Sequence, residues 1–275
     1  MSIVNTLTLE SNRQIKINFD GGDLSSDAGL LLIKEFAAKI GFTKLIKKKF
    51  KTNDEAVRFH KDAENLLQMI YQVISAYFQD DCADELTLDP VFLAVLGKES
   101  LASQPTLSRF FNRMDEDTLV QFNDIDKKLR DIIYSIKRPE HVLFDLDSTL
   151  FGTYGRQEGE GFNFHYQAHG YHPLLCYDGL TGDLLKAELR NGTLHCSNGA
   201  DKFMESIFQE YLERGLKTYL RGDSGFSSPK LYETCESNGC SYAIRLKQNS
   251  TSLPWLQIKR KICTKPLKRI RSAMQ

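Results

Sequence analysis

The chain has 275 residues, of which 41% are hydrophobic, and its 36 basic and 36 acidic side chains give a formal net charge of zero. This length allows a sizeable core and two domains, and the zero net charge excludes partner selection by a global electrostatic field. Scattered cysteines without a Cys-x-x-Cys pair indicate reduced thiols, and no secretion signal or bilayer-length apolar run is visible. We therefore expect a soluble cytoplasmic protein that does not associate with membranes.

Residues 1–137 are predicted to form a mostly α-helical domain. Two short strands are expected at 6–10 and 14–19, followed by a helix that Ser25, Ser26 and Asp27 cap and Gly41 ends. The inward face of that helix is expected to carry Leu30, Leu31, Ile33, Phe36 and Ala37. Apolar spacing predicts further helices over 66–77, over 89–96, from Pro105 onwards and over 119–136.

Within this domain, the segment 103–112 is the candidate for reading DNA. Arg109 and Arg113 lie in and just after it, as in a recognition helix, although most helices of this kind are simply packed in the core.

After Pro139 the pattern changes to alternating strands and helices, and we expect an α/β domain with a mixed sheet over 138–254. A strand is predicted at 141–148, a hairpin at 171–189, a helix from Asn198 to Gly215, a strand at 218–220, a helix from Ser228 and a strand at 242–246. A basic tail, 255–275, follows with seven positive side chains and no acid.

The first strand carries the strongest chemical signal. It reads His-Val-Leu-Phe-Asp-Leu-Asp-Ser, so Asp145 and Asp147 project from the same face. Asp223 follows a later strand between Gly222 and Gly225. Carboxylates at strand ends of one sheet suit Mg²⁺ or Mn²⁺, and the alternative is a solvated loop. Arg221, Arg245 and Lys247 flank these strands and are candidates to contact the DNA backbone, or are simply surface charges.

Several ordered motifs together resemble the group 1 DDE transposases of bacterial insertion sequences. They are Ser-Ser-Asp-Ala-Gly-Leu-Leu-Leu (25–32), Leu-Ala-Ser-Gln-Pro-Thr-Leu-Ser-Arg-Phe (101–110), Asp-Leu-Asp-Ser-Thr (145–149), Gly-Tyr-His-Pro-Leu-Leu (170–175), Asp-Gly-Leu-Thr-Gly-Asp (178–183), Leu-Arg-Asn-Gly-Thr (189–193), Leu-Arg-Gly-Asp-Ser-Gly-Phe (220–226) and Tyr-Ala-Ile-Arg-Leu-Lys (242–247). The resemblance runs from about residue 20 to about residue 250.

The resemblance implies a ribonuclease H-like fold in which two aspartates and a glutamate bind two Mg²⁺ ions. It maps Asp147 and Asp223 as catalytic metal ligands, with Asp145 a further ligand or a helper. It also implies cleavage of double-stranded DNA at terminal inverted repeats and joining to target DNA, with a homodimer in a synaptic complex on the nucleoid.

The third acid is the main departure from the family pattern. The family's glutamate lies well downstream on a later helix, and the basic tail offers no acid, which favours a truncated, catalytically incomplete copy. A non-catalytic DNA-binding remnant is the first alternative. The second is a haloacid dehalogenase-like phosphatase, in which Asp145 would be the nucleophile and Asp147 the acid/base.

Overall fold

The computed structural model describes residues 6–18 and 25–246. The chain divides after Arg138 into two compact units. Within the described residues, no helix has both the length and the apolar character needed to cross a bilayer.

The first unit is mostly helical, in agreement with the prediction. Its two short strands, β1 (Thr6–Thr8) and β2 (Lys16–Asn18), pair antiparallel. The helices that follow are α1 (Leu30–Lys39), α2 (Phe42–Lys49), α3 (Asp62–Ile74), α4 (Cys82–Glu85), α5 (Pro90–Leu96), α6 (Gln104–Phe111) and α7 (Glu116–Ile136).

Side-chain caps fix the starts of two of these helices. Asp89 accepts hydrogen bonds from the backbone N–H groups of Val91 and Phe92, which begins α5. Asp115 accepts one from Thr118 N and thereby begins α7. Because each cap satisfies N–H groups that have no partner within the helix, these two boundaries are visible in the sequence.

Two predicted helix faces in this unit are wrong. Helix α1 begins after Gly29 rather than at the Ser25–Asp27 cap, and Phe36, expected inside, is 57% exposed. The apolar spacing of the helix expected over 66–77 predicts a buried Val73, but in α3 Val73 is exposed while Gln68 is buried. The Gln68 amide both donates to Ala102 O and accepts from Ala102 N, at 2.8 Å each, so its burial is offset by hydrogen bonds that apolar periodicity does not reveal.

The core of the first unit consists of two main clusters of buried side chains. One contains Leu9, Ile17, Leu30, Leu31, Tyr71, Leu86, Val91, Phe92, Val95 and Leu101. The other contains Ile46, Phe50, Leu66, Leu67, Phe110 and Ile125.

The second unit is built on a five-stranded mixed sheet. Its strands, in sheet order, are β10 (Ser241–Ile244), β9 (Lys217–Gly222), β3 (His141–Ser148), β7 (Leu174–Asp178) and β8 (Leu184–Glu188). Strand β3 is central: it runs parallel to β9 and antiparallel to β7, and the β7–β8 pair forms the predicted hairpin. The second unit therefore has the mixed α/β sheet that was expected.

Two helices flank this sheet, α8 (Ala200–Glu213) and α9 (Pro229–Ser237). The ring of Phe144 on β3 lies 5.6 Å from that of Phe208 and 5.1 Å from that of Tyr211, both on α8. All three side chains are at most 1% exposed, so α8 covers the face of β3 that carries its even-numbered residues.

A small sheet is inserted between β3 and β7, where Gly152, Gly155, Gly159 and Gly161 in the sequence indicate a loop. Its order is β4 (Phe151–Gly152), β6 (Ala168–Tyr171) and β5 (Gly161–Asn163), all antiparallel. These strands have only two to four residues each, which is too short to show an alternating pattern in the sequence.

Candidate functional site

Strand β3 alternates strictly between a buried and an open face. Val142, Phe144 and Leu146 are buried against the helices. Asp145 is half-buried and Asp147 exposed, both on the opposite face, as the spacing of two predicted. Because this face is open, neither carboxylate is fully buried as a charged group.

Strand register brings Asp223 beside Asp147. In the parallel β3–β9 pair, Asp145 lies opposite Arg221 and Leu146 opposite Gly222. The paired register ends there, and Asp147 and Asp223 are the next residues along these two hydrogen-bonded strands, which lie roughly 4.8 Å apart. Asp223 is also exposed. The two acids thus end adjacent strands on the same edge of the sheet.

Local backbone donors orient each of these carboxylates through one oxygen. Ser148 N donates to Asp147 Oδ1 at 2.7 Å, and Gly225 N donates to Asp223 Oδ1 at 2.7 Å. Within the described residues neither Oδ2 atom has a hydrogen-bond partner. Two exposed, hard oxygen donors with a free lone pair each are what Mg²⁺ binds while keeping several waters, so these residues fit the implied metal.

A third acidic ligand does not join them within 6–18 and 25–246, where no group of three or more His, Cys, Asp or Glu side chains is arranged to hold a metal ion. Asp145 is occupied otherwise. Arg221 Nε donates to its Oδ1 at 2.9 Å, and Arg221 Nη2 donates to its Oδ2. This pairing raises the pKa of the Arg221 guanidinium. Asp145 therefore neighbours the pair of free carboxylates as one half of an ion pair.

The basic candidates around the sheet have different surroundings. Arg221 is engaged with Asp145, as described. Arg245 N donates to Gly222 O at 3.3 Å, which places exposed Arg245 directly after β10 and beside Asp223. Lys247 lies outside the described residues. Among the predicted DNA contacts of the second unit, Arg245 thus lies beside Asp223, and within the described residues it forms no ion pair with an acid.

The two arginines of the first unit also differ. Arg109 is exposed on α6, and its guanidinium makes one long contact, 3.5 Å, to Thr106 Oγ1. Arg113 lies after α6, is 12% exposed and donates to Asp62 at 2.6 Å. Arg113 therefore forms an internal ion pair, and its guanidinium lies over the Phe110 ring. Because these contacts occupy its side chain, we do not propose that it contacts DNA.

A segment that sequence reasoning did not assign to the site also reaches it. A Cβ placed on Gly225 would lie 3.0 Å from Asp223 Oδ1 and 3.1 Å from Cys196 Sγ, so Cys196 borders the Asp223 loop. Cys196 belongs to the connection from β8 to α8, which begins with the motif Leu-Arg-Asn-Gly-Thr. This motif was the signal in the sequence that could have pointed to the segment. It was not recognised because it contains no acid and no spacing typical of metal ligands.

Comparison with solved structures gives three similarities that can be described. The chain is similar to piggyBac transposase in a synaptic complex with hairpin DNA, at 16% identity and a TM-score of 0.39, over 79% of this chain and 49% of that one. It is similar to the catalytic domain of Mos1 mariner transposase at 13% identity and a TM-score of 0.27, over 50% of this chain and 64% of that one. A simian T-cell lymphotropic virus intasome in complex with the PP2A regulatory subunit B56 gamma matches at 15% identity and a TM-score of 0.26, over 49% of this chain and 42% of that one.

The chain thus spans about half the length of the piggyBac chain. No curated protein sequence matches it. The family described as "Transposase DDE domain group 1" matches over residues 7–264, which is nearly the whole sequence. The protein therefore belongs to the group 1 DDE-domain transposase family.

Proposed function

We propose that Asp147 and Asp223 bind a shared Mg²⁺ or Mn²⁺ ion and that the protein, as a transposase, cleaves and joins DNA strands at the ends of an insertion sequence. One observation carries the proposal. Two exposed carboxylates end adjacent parallel strands, and each is oriented through Oδ1 while its Oδ2 has no partner within the described residues.

The chain's own contribution is orientation and charge. The Ser148 and Gly225 N–H groups hold the carboxylates in place without covering their outer oxygens. A bound divalent ion would supply activation of a water or 3′ hydroxyl and stabilisation of a leaving oxygen in phosphodiester chemistry. The ion pair of Asp145 with Arg221 limits the free negative charge beside this ion to two carboxylates.

Double-stranded DNA is the proposed partner, as terminal inverted repeats and as target. Arg245 beside Asp223 and Arg109 on α6 are the proposed backbone contacts. A homodimer in a synaptic complex on the nucleoid is proposed from family membership alone.

A second candidate function is DNA binding without efficient cleavage. It rests on the count of free acids, because the two free carboxylates have no third metal-binding acid grouped with them in 6–18 and 25–246. A two-metal site for phosphodiester cleavage needs further ligands, so a chain with only these two would bind DNA and cut it poorly.

The phosphatase alternative fits less well. Its nucleophile would be Asp145, but both oxygens of that carboxylate accept hydrogen bonds from Arg221. The strand that carries it is followed by an inserted sheet and an antiparallel strand, and the match to the transposase family extends over nearly the whole chain. We therefore do not propose phosphatase activity.

Mg²⁺-dependent nicking of supercoiled DNA carrying inverted repeats tests the proposal. We expect nicking by the unaltered protein to fall at least about 100-fold in Asp147→Asn and in Asp223→Asn, because each loses a ligand charge. Glu233→Gln, an exposed acid on α9, is the matched control and should nick normally. DNA binding that persists in all four proteins without nicking in any would favour the second candidate.

A further inference from the structure

Arg190, in the Leu-Arg-Asn-Gly-Thr motif, is a buried cation with incomplete hydrogen bonding. It is 6% exposed. Its Nε donates to His172 O at 3.1 Å and its Nη1 to Asn198 O at 2.5 Å, both neutral carbonyls. Its Nη2 is buried without a hydrogen-bond partner in the described part of the chain. A buried charge of this kind is costly unless an anion balances it.

Electrostatics around Arg190 agree with this description. Burial lowers the pKa of Arg190, and the nearby Glu188 and Cys196 oppose that shift only in part. Arginine remains charged across the physiological range despite such a shift. The protein therefore holds a positive charge, with one unused pair of N–H hydrogens, under its surface.

The guanidinium lies at the start of helix α8. Asn198, which accepts from Nη1, directly precedes Gly199, the N-cap residue of α8, and Gly199 has no side chain to cap the helix. The first N–H groups of a helix have no partner within it, and the helix dipole adds partial positive charge there. Asp201 is the acid in the first turn and offsets part of this charge. The unused Nη2 and the helix N-terminus together favour an anion.

The position of this charge connects it to the candidate metal site. Antiparallel pairing places the end of β8, and hence Arg190, at the edge of the sheet where β3 ends. After Arg190 the chain passes the inserted sheet, where Asn191 pairs with Tyr171, and then reaches Cys196, which borders Gly225 beside Asp223. An anion at Arg190 would therefore lie along the same edge as the two free carboxylates.

We propose that Arg190 Nη2 and the N-terminus of α8 bind a backbone phosphate of the DNA strand that lies across this edge of the sheet. The inference rests on the proposed function, because it takes DNA as the substrate. A phosphodiester offers single negative charge and tetrahedral oxygens to a planar guanidinium and to backbone N–H groups. Because Nη2 is covered in the free protein, the covering group moves when DNA binds.

Salt-dependent DNA binding by the full chain, measured by fluorescence anisotropy without divalent cations, tests this inference separately from catalysis. Arg190→Gln should weaken binding of a double-stranded oligonucleotide about tenfold and reduce the slope of log affinity against log salt by about 1. Arg190→Lys should leave the slope of log affinity against log salt as it is in the unaltered protein. Arg214→Gln, which removes a largely buried arginine at the opposite end of α8, is the matched control and should change neither quantity.

Two further measurements test whether the effect of Arg190→Gln comes from a phosphate site. Inorganic phosphate at matched ionic strength should compete with DNA for the unaltered protein and not for Arg190→Gln, which separates a phosphate site from a general loss of charge. Should Arg190→Gln fail to fold, as judged by circular dichroism, ¹⁵N resonances of the Arg190 guanidinium in the unaltered protein should shift on DNA addition.

The outcomes are distinguishable. An unaltered protein that binds no DNA contradicts the proposed function together with this inference. DNA binding whose salt slope is the same in Arg190→Gln, or guanidinium resonances that DNA leaves unmoved, would overturn the assignment of Arg190 alone.

Discussion

Asp145 and Asp147 share one face of one strand, yet their neighbours give them different roles. Asp145 lies opposite Arg221 and is held by two hydrogen bonds, whereas Asp147 and Asp223 each lie one residue beyond the last pair of that register. Side-chain alternation predicts the shared face from sequence. The partner on the next strand depends on register, which the sequence of one strand does not contain.

This difference predicts opposite effects of two substitutions on the affinity for Mn²⁺. Arg221→Ala removes a positive charge near Asp147 and frees Asp145, so affinity should rise about fivefold; Asp145→Asn leaves Arg221 unbalanced, so affinity should fall by a similar factor. Isothermal titration of both variants measures the signs. Complete loss of binding in Asp145→Asn would instead identify Asp145 as a ligand.

The Arg113–Asp62 ion pair makes a prediction about stability and pH. Burial alone would raise the pKa of Asp62, but hydrogen bonds from Thr52 and Arg113 outweigh it and lower that pKa. A lowered folded pKa stabilises the protein above the unfolded value of about 3.9, and this stabilisation is lost as pH falls through the folded pKa.

Arg113→Ala should therefore lower the free energy of unfolding by about 2 kcal/mol near neutral pH and by less at about pH 3. Urea denaturation at both pH values provides the measurement. The exposed Arg109→Ala is the control and should stay within about 0.5 kcal/mol of the unaltered protein. Equal losses for Arg113→Ala at the two pH values would show that the ion pair does not stabilise the fold.

At the scale of elements, long segments with strong patterns were predictable and short or polar ones were not. Strand β3 was expected at 141–148 and is observed there, and α7 was expected over 119–136 and spans Glu116–Ile136. The inserted sheet was missed because long-range contacts rather than alternation define it. Asn191 Nδ2 donates to Gly159 O and Glu160 O, and Asn163 Nδ2 donates to Gly192 O.

Close backbone packing at Gly192 tests how this inserted sheet is held. A Cβ there would lie 2.3 Å from Gly161 O and 2.3 Å from Gly170 O, closer than atoms can approach. Gly192→Ala should cost about 2 kcal/mol of unfolding free energy, because backbone on both sides must shift. Thermal or urea denaturation measures this loss.

Gly152→Ala, in the same inserted sheet, is the matched control, since a Cβ there meets nothing within 4 Å. It should change the unfolding free energy by no more than about 1 kcal/mol. A Gly192→Ala protein as stable as Gly152→Ala would contradict the packing described here.

For the whole molecule, the change at Pro139 from helical periodicity to alternating strands and helices indicated a mixed sheet, and the structure has one. Sequence reasoning named Asp147 and Asp223 because carboxylates after apolar strands are conspicuous. It did not assign Arg190 a role, because a single arginine in a loop is ordinary until its burial and its missing hydrogen-bond partner are known.

Because the net charge is zero, electrostatic attraction of a partner would depend on where individual cations lie and not on how many there are. Because the chain has no overall positive field, the proposed affinity for DNA would depend on local groups such as Arg245 beside Asp223 and the buried Arg190. The proposed metal site consequently depends on the geometry of one edge of the second unit's sheet, where Asp147 and Asp223 follow neighbouring strands.

Electron paramagnetic resonance of Mn²⁺ added to the full chain tests that geometry most directly, since it needs neither DNA nor turnover. We predict that the unaltered protein binds Mn²⁺ and that Asp147→Asn and Asp223→Asn each reduce the affinity at least about tenfold. Glu233→Gln should bind as the unaltered protein does. Mn²⁺ affinity that is unchanged in either aspartate variant would contradict a shared ion at these two carboxylates.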